Sequence, residues 1–233
     1  MMTRLLFAVL FCSLTFTAQA AEVETDKRLP PMGGSWGIRK PANPDPALPN
    51  VLLIGDSIAN GYLDSVRKAL TGKANVEAWI TPTTQADKSL AGTLKVICQE
   101  QKYAVIHFNL GLHGWQKGRI PEGQFEPLTQ KLVHDLKQAA PPTALIWATI
   151  TPVTVKGEPT KLNPEIQPTI DQHNAMATKV MKAEGIAIND LNALVGSHLD
   201  LMSGDMFHWK TEGREMMGKA VAAQILMALA KPR

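Results

Sequence analysis

Two short segments carry residue types that could act together in nucleophilic catalysis. Ser57 follows the apolar run Val51–Ile54 through Gly55 and Asp56. A serine between a buried strand and a helix exposes its hydroxyl beside free backbone N–H groups, although a serine or an aspartate there can also be an ordinary helix N-cap. A serine hydroxyl is a weak nucleophile until a neighbouring base removes its proton, so the first segment needs a partner.

Asp205 and His208 could supply that base. They lie three residues apart, directly ahead of the last predicted helix. A carboxylate that binds one ring nitrogen of a histidine fixes the tautomer and stabilises the imidazolium, and the other nitrogen can then face a hydroxyl. Such a pair alone is usually a surface or capping feature. The interpretation therefore depends on Ser57 and His208 meeting in space.

Hydrophobic periodicity predicts the elements that must bring these residues together. Strands are predicted at 51–54, 76–80, 104–108, 144–150 and 185–188, helices at 58–71, 87–101, 124–139, 165–184 and 211–230, and a long loop at 151–164. Strands that alternate with helices indicate a five-stranded parallel sheet in a three-layer α/β/α sandwich of the flavodoxin-like type. In such sheets the functional site lies beyond the carboxyl ends of the strands, where both segments are expected.

With this predicted order of strands and helices, the chain resembles the SGNH, or GDSL, hydrolase family over roughly residues 50–230. VLLIGDSIANG, from residue 51, is similar to the first block of that family, and DMFHWKTEG, from residue 205, is similar to its last block. The resemblance implies an SGNH hydrolase fold and a carboxylic ester hydrolase that forms an acyl-enzyme without a cofactor or metal. It assigns Ser57 as the nucleophile, His208 as the general base and Asp205 as the orienting carboxylate.

The predicted oxyanion hole departs from the family pattern in two places. The family uses the N–H of the nucleophile, here Ser57, a glycine N–H in a second block and an asparagine in a third. His113 stands where that asparagine is expected, and a neutral imidazole can donate one N–H, although a histidine satisfied within its loop is the alternative. Asn109, two residues before Gly111, is the other candidate for this donor, but it aligns less well because it falls on the predicted strand. The second-block region, 81–87, has no glycine. A backbone N–H within 83–85 could replace it, and we take Thr84 as the representative candidate.

Four other residues are candidates for contacts with a substrate: Asp56, Asn109, Trp115 and Trp209. Asp56 adjoins the serine, Asn109 follows the third predicted strand, and each tryptophan lies within two residues of a candidate catalytic histidine. Aromatic rings beside polar groups are common in sugar-binding clefts, and ordinary packing explains these two equally well.

The remaining histidines give no sign of a metal site. His107 is expected in the core because it lies within the third predicted strand. His134 and His173 fall on predicted helices, and these two and His198 have no partner pattern and are expected at the surface. No histidine pair has the spacing of a zinc site.

Composition and the N-terminus limit the class of protein. The chain has 233 residues and is 45% hydrophobic, which favours one domain. Its formal net charge of +3, without a basic cluster, gives no sign of nucleic-acid binding.

Arg4, the apolar stretch 5–14 and the small-residue motif 18–20 predict a signal peptide at 1–20, with export to the periplasm or the medium. The Pro-rich segment 21–49 is expected to be an extended strap ahead of a hydrolase domain at 50–233. No later apolar run is long enough for a membrane helix, so the mature chain is expected to have no integral span.

Export and the family resemblance together favour an O-acetylesterase that acts on carbohydrate or other small acyl esters. Its partner would be a small acyl ester or an acetylated glycan. A lipase, lysophospholipase or thioesterase of the same family is the first alternative. The second is a non-catalytic glycan-binding module on this scaffold, because two of the oxyanion blocks are altered.

Overall fold

Short buried apolar runs form the central sheet of the protein, whose computed structural model describes residues 36–231. The predicted signal peptide and the first part of the predicted strap lie outside the described residues. The strands are β1 (Gly37–Arg39), β2 (Asn50–Gly55), β3 (Asn75–Ile80), β4 (Val105–Phe108), β5 (Ala144–Ala148), β6 (Thr154–Val155), β7 (Glu158–Leu162) and β8 (Ala187–Asn189). The helices are α1 (Ser57–Ala69), α2 (Leu90–Glu100), α3 (Phe125–Ala139), α4 (Gln167–Ala183), α5 (Leu191–Gly196) and α6 (Thr211–Leu229).

The central sheet has the strand order β1-β3-β2-β4-β5-β8. The five strands from β3 to β8 in that order are parallel, as the sequence predicts. Within residues 36–231 the sheet nevertheless has six strands rather than five, because β1 pairs antiparallel with β3 along its edge. β1 lies in the segment predicted as an extended strap. It is only three residues long, too short for any apolar period, and its partner strand begins 36 residues later in the chain.

Helices cover both faces of the sheet and form the outer layers of a three-layer α/β/α sandwich. α1 packs against α6 on one face, and on the other α3 packs against both α2 and α4. The backbones of α1 and α6 approach closely, because a Cβ atom added at Gly218 would overlap Ser65 and lie 3.1 Å from the carbonyl oxygen of Tyr62. This contact brings the segment that precedes α6 next to the start of α1.

Two further elements lie where the sequence analysis did not place them. The predicted long loop 151–164 contains the antiparallel hairpin β6–β7. Most of β7 is exposed, so it lacks the apolar alternation that would reveal a strand. The short helix α5 follows β8, with the Asp190 side chain accepting a hydrogen bond from the N–H of Ala193. Within residues 36–231, no helix has the length and apolar character that a bilayer span requires.

Candidate active site

Ser57 lies at a tight turn between β2 and α1. It is the first residue of α1, and Asp56 is the N-cap, its Oδ1 accepting from the N–H of Ile58 at 2.9 Å. The turn requires glycine at position 55, because a Cβ atom there would come within 2.5 Å of the Cβ of Ala59. Ser57 therefore sits at the carboxyl end of a central strand, beside the N–H groups of a helix start.

The loop that carries Asp205 and His208 is folded around the aspartate. Oδ1 of Asp205 accepts from the N–H of Phe207 at 3.1 Å and from that of His208 at 2.8 Å. Met206 has a φ of 92°, a left-handed conformation that non-glycine residues rarely adopt and that costs of order 1–3 kcal/mol. The carbonyl of Met206 accepts from the N–H of Thr154 at 3.0 Å, so the β6–β7 hairpin holds this loop in place.

A chain of hydrogen bonds joins the two segments. Nδ1 of His208 lies 2.5 Å from Oδ2 of Asp205, and Nε2 of His208 lies 2.8 Å from Oγ of Ser57, 151 residues away in sequence. With Asp205 ionised, Nδ1 carries the proton and Nε2 accepts from the serine hydroxyl. The three side chains have the arrangement in which a histidine removes the proton of a nucleophilic serine.

The environment of Asp205 keeps its carboxylate ionised. Partial burial would raise its pKa, but the hydrogen bonds from the backbone and ring of His208 and from the N–H of Phe207 outweigh burial. The pKa of Asp205 is held well below its usual range. At neutral pH the carboxylate can therefore orient the ring and stabilise the imidazolium.

His113 lies close to this chain of hydrogen bonds. It occupies a short 3₁₀ turn after β4, is partly buried, and contacts the edge of Trp36 with ring centroids 5.8 Å apart. Burial is the main cause that lowers the pKa of His113, and the negative charge of Asp56 partly opposes this shift. At neutral pH the ring is neutral and has one N–H to donate.

The loop after β3 contains the second candidate donor. The N–H of Thr83 donates to Oγ1 of Thr81 at 3.1 Å and is already occupied. Within residues 36–231 no acceptor engages the N–H of Thr84, whose hydroxyl lies 3.4 Å from the carbonyl of Arg119. The guanidinium of Arg119 in turn donates to the carbonyl of Pro82 at 2.6 Å. These bonds join the loop after β3 to the segment that follows His113.

Three of the four predicted substrate contacts are built into the scaffold. Asp56 is buried and caps α1, and burial raises its pKa. The amide nitrogen of Asn109 donates to the carbonyl of Thr149 at 3.0 Å. Trp209 is 1% exposed and packs against Gly213, which leaves no open ring face for a stacked sugar.

The fourth predicted contact, Trp115, is placed differently. Its ring stacks on Phe207, with centroids 6.2 Å apart and an interplanar angle of 26°. Both rings are partly exposed. Because Phe207 precedes His208 directly, this pair links the loop after β4 to the loop of the candidate catalytic histidine.

One of the other histidines is not where the sequence analysis expected it. His107 is fully buried in β4, as expected. The expectation of a surface position is wrong for His173, which is 9% exposed and stacks on Phe125 with centroids 3.7 Å apart. On α4 this residue faces inward against α3. Because histidine is polar, the apolar pattern of the helix gives no sign of this contact. Within residues 36–231, no group of three or more His, Cys, Asp or Glu side chains is arranged to hold a metal ion.

Comparison with solved structures finds the same architecture in proteins with little sequence similarity. A carbohydrate esterase family 3 structure from Talaromyces cellulolyticus is 14% identical, with a TM-score of 0.65 over 80% of this chain and 100% of that chain. A lipase/acylhydrolase from Enterococcus faecalis is 22% identical, with a TM-score of 0.62 over 80% and 99%. A protein from Parabacteroides merdae described as a GDSL-like lipase is 15% identical, with a TM-score of 0.59 over 78% and 95%.

The chain has the SGNH hydrolase fold. No family model matches the amino-acid sequence, and no curated protein matches it significantly. In this SGNH fold the Ser57–His208 pair lies beyond the carboxyl ends of the parallel strands, where sites of open α/β sheets form.

The SGNH fold also places at this edge side chains that the sequence analysis did not single out. A cleft of about 400 Å³ opens at Ser57 and His208 and is also lined by Asn60, Ser203 and Arg214. Asn60 stands within the first family block, so its proximity to the serine could have been noticed. Arg214 reaches the cleft through the packing of α6 on α1, for which a single sequence carries no signal.

Proposed function

We propose that this protein is an exported serine ester hydrolase whose substrates are acetylated carbohydrates or other small acyl esters. The observation that carries the proposal is the hydrogen-bonded chain from Asp205 through His208 to Ser57 at the strand ends of an SGNH fold. Export is inferred from the signal-like residues 1–20.

The reaction follows from the positions of these groups. Oγ of Ser57 attacks the ester carbonyl carbon while Nε2 of His208 takes the hydroxyl proton. The negative charge on the carbonyl oxygen is stabilised by the N–H of Ser57, the ring N–H of His113 and the backbone N–H of Thr84. The C–O bond to the alcohol breaks as His208 returns the proton to the leaving oxygen. Water, activated by the same histidine, then releases the acid from the acyl-enzyme.

The preference for small acyl groups on sugars has separate support. Structures of similar fold include one named as a carbohydrate acetylesterase family member and one named as an acetyl esterase. The partly exposed Trp115 and Phe207 rings beside His208 suit a sugar, since sugars pack on aromatic faces. A lipase or thioesterase would instead prefer long acyl chains. The rates of hydrolysis of 4-nitrophenyl esters from acetyl to palmitoyl therefore distinguish these enzymes from an acetylesterase.

The test of the proposal is covalent labelling of the purified protein by a fluorophosphonate, a reagent that modifies activated serines. We expect one adduct on Ser57 and loss of ester hydrolysis in step with labelling. Ser57→Ala should abolish both labelling and hydrolysis while changing the free energy of unfolding by no more than about 1 kcal/mol. Ser197→Ala, a change to an exposed serine after α5, is the matched control and should behave as the wild type.

Two results would contradict the proposal. Undiminished hydrolysis by the folded Ser57→Ala variant would remove this serine from the reaction. A folded wild-type protein that neither labels nor hydrolyses any ester would favour a glycan-binding module on the same scaffold.

A further inference from the structure

The cleft beside Ser57 contains a cation with no part in the proposed proton transfers. Its walls come from the first turns of α1, the segment 203–209 and the start of α6. Ser57, His208, Asn60 and Arg214 all line it. A group attached to an ester under attack at Ser57 could therefore extend into this cleft.

Arg214 is held so that its charge remains available. Its Nε donates to the carbonyl oxygen of Trp209 at 2.6 Å. Its aliphatic stem crosses α1 at Gly61, where an added Cβ atom would lie 3.3 Å from Cδ of the arginine. Within residues 36–231, no carboxylate lies within 4.0 Å of this guanidinium, and its two terminal nitrogens make no hydrogen bond.

The other charged group of the cleft does not neutralise Arg214. Asp205 is bonded to the ring and backbone of His208 and to the N–H of Phe207. Asn60 is exposed and contributes a neutral amide that can donate to an anion. The cleft thus combines a guanidinium held through its Nε and an amide, groups that suit an anion with two or more oxygens.

We propose that this cleft binds an anionic group, a carboxylate or a phosphate, carried by the alcohol part of the ester. The inference rests on the proposed esterase function. Because the acyl group is small in that function, a group that reaches Arg214 belongs to the alcohol. The candidate oxyanion donors His113 and Thr84 do not line this cleft, which is consistent with that division. The substrate class is then an acetylated sugar acid or sugar phosphate, free or within a polysaccharide.

The test compares acetate release from three monoacetylated methyl glycosides: glucoside, glucuronide and glucoside 6-phosphate. The wild type should hydrolyse at least one anionic ester with a kcat/KM about tenfold or more above that of the neutral ester, because only the anionic ester can accept charge-assisted hydrogen bonds from Arg214. Preference for the glucuronide identifies a carboxylate site, and preference for the 6-phosphate identifies a phosphate site.

The variant Arg214→Gln should reduce that anionic-to-neutral ratio to about one, chiefly through a higher KM for the anionic ester. Arg214→Lys keeps the charge without the fork and should retain an intermediate ratio. Lys219→Gln removes an exposed cation from the same helix and should leave the ratio at the wild-type value. Partial unfolding would lower the rates on all three esters equally and so would not change the ratio.

The outcomes separate this inference from the function on which it rests. Equal kcat/KM on the three esters, or a preference that survives in Arg214→Gln, overturns the anion site while leaving the esterase intact. Should neither these three esters nor 4-nitrophenyl acetate be hydrolysed, the proposed function fails. Calorimetric titration of glucuronate and of glucose 6-phosphate then decides the site: binding that Arg214→Gln weakens supports it, and equal or absent binding overturns it.

Discussion

The surroundings of each histidine decide what its ring nitrogens can do. In His208 one nitrogen is bound to a carboxylate, so the other can accept from Ser57. In His107 the ring is fully buried, and burial lowers its pKa to about 3. His113 lies between these two cases: burial lowers its pKa, as for His107, but it borders the site, as His208 does. A neutral His113 is suited to donating one hydrogen bond and unsuited to acting as a cation.

The proposed role of His113 predicts a loss confined to the transition state. His113→Ala should lower kcat by roughly 10²-fold or more with little change in KM, because the donor faces an oxygen that becomes charged only during reaction. His113→Asn should recover much of that loss, since an amide can replace the imidazole N–H. Steady-state kinetics on 4-nitrophenyl acetate measure both effects.

A different kinetic signature would assign His113 another role. His198→Ala, at an exposed position after α5, is the control and should have wild-type kinetics. A rise in KM with unchanged kcat in His113→Ala would make this residue a substrate-binding group. No change at all would leave it as a loop histidine that packs against Trp36.

At the scale of elements, hydrophobic periodicity predicts the helices and strands that bury a long apolar face. It misses the elements that form only by pairing with a segment far away in the sequence. The last helix is predicted at 211–230 and observed at Thr211–Leu229, because its buried residues recur at helical spacing. β1 and the β6–β7 hairpin carry no such pattern. β1 forms because its backbone pairs with the free edge of β3. The hairpin packs against the segment around Met206. Neither β3 nor this segment can be recognised as a partner from the residues of β1 or of the hairpin alone.

The β6–β7 hairpin predicts that a change far from Ser57 in sequence lowers catalysis. Gly157 has a φ of 80° in its two-residue turn, and its N–H donates to the carbonyl of Gly204 at 2.9 Å. Gly157→Ala places a Cβ on a left-handed backbone and should destabilise the protein by about 1 kcal/mol. It should also lower kcat severalfold, because the hairpin holds the loop of Asp205 and His208.

Gly185 provides a matched control for that variant. It has a φ of 68°, and an added Cβ would meet no atom within 4 Å, as at Gly157. Gly185→Ala should therefore lower the denaturation midpoint by a similar amount without reducing kcat. Equal kcat in the two variants would show that the hairpin contributes to stability alone.

At the scale of the whole molecule, topology explains why part of the site could be predicted. Ser57 follows β2 and His208 precedes α6, and the rule that sites lie at strand ends brings them to one edge. The same rule placed His113 and the loop after β3 there. It could not place Trp36 or Arg214. Trp36 arrives with the unpredicted strand β1, and Arg214 depends on the close crossing of α1 and α6.

Burial of His107 and His173 predicts how the stability of the whole protein depends on pH. Burial lowers the pKa of His107 to about 3 and that of His173 to about 4, whereas a histidine in an unfolded chain has a pKa near about 6.5. Below about pH 6.5 the unfolded state therefore binds protons that the native state does not. Stability is full above this pH and falls as the pH decreases, by up to about 1.4 kcal/mol per pH unit for each histidine.

His107→Gln tests this linkage, because it removes one of the two titrating groups. The Asn189 amide nitrogen beside the His107 ring, at 3.2 Å, could still donate to the glutamine. The variant should be less stable at pH 7, since the core is disturbed. Between about pH 6.5 and pH 5, however, urea midpoints should show it losing stability more slowly than the wild type. His198→Gln changes an exposed histidine and should keep the wild-type slope. Parallel slopes in all three proteins would mean that His107 is protonated in the native state as readily as in the unfolded chain, which its complete burial in β4 opposes.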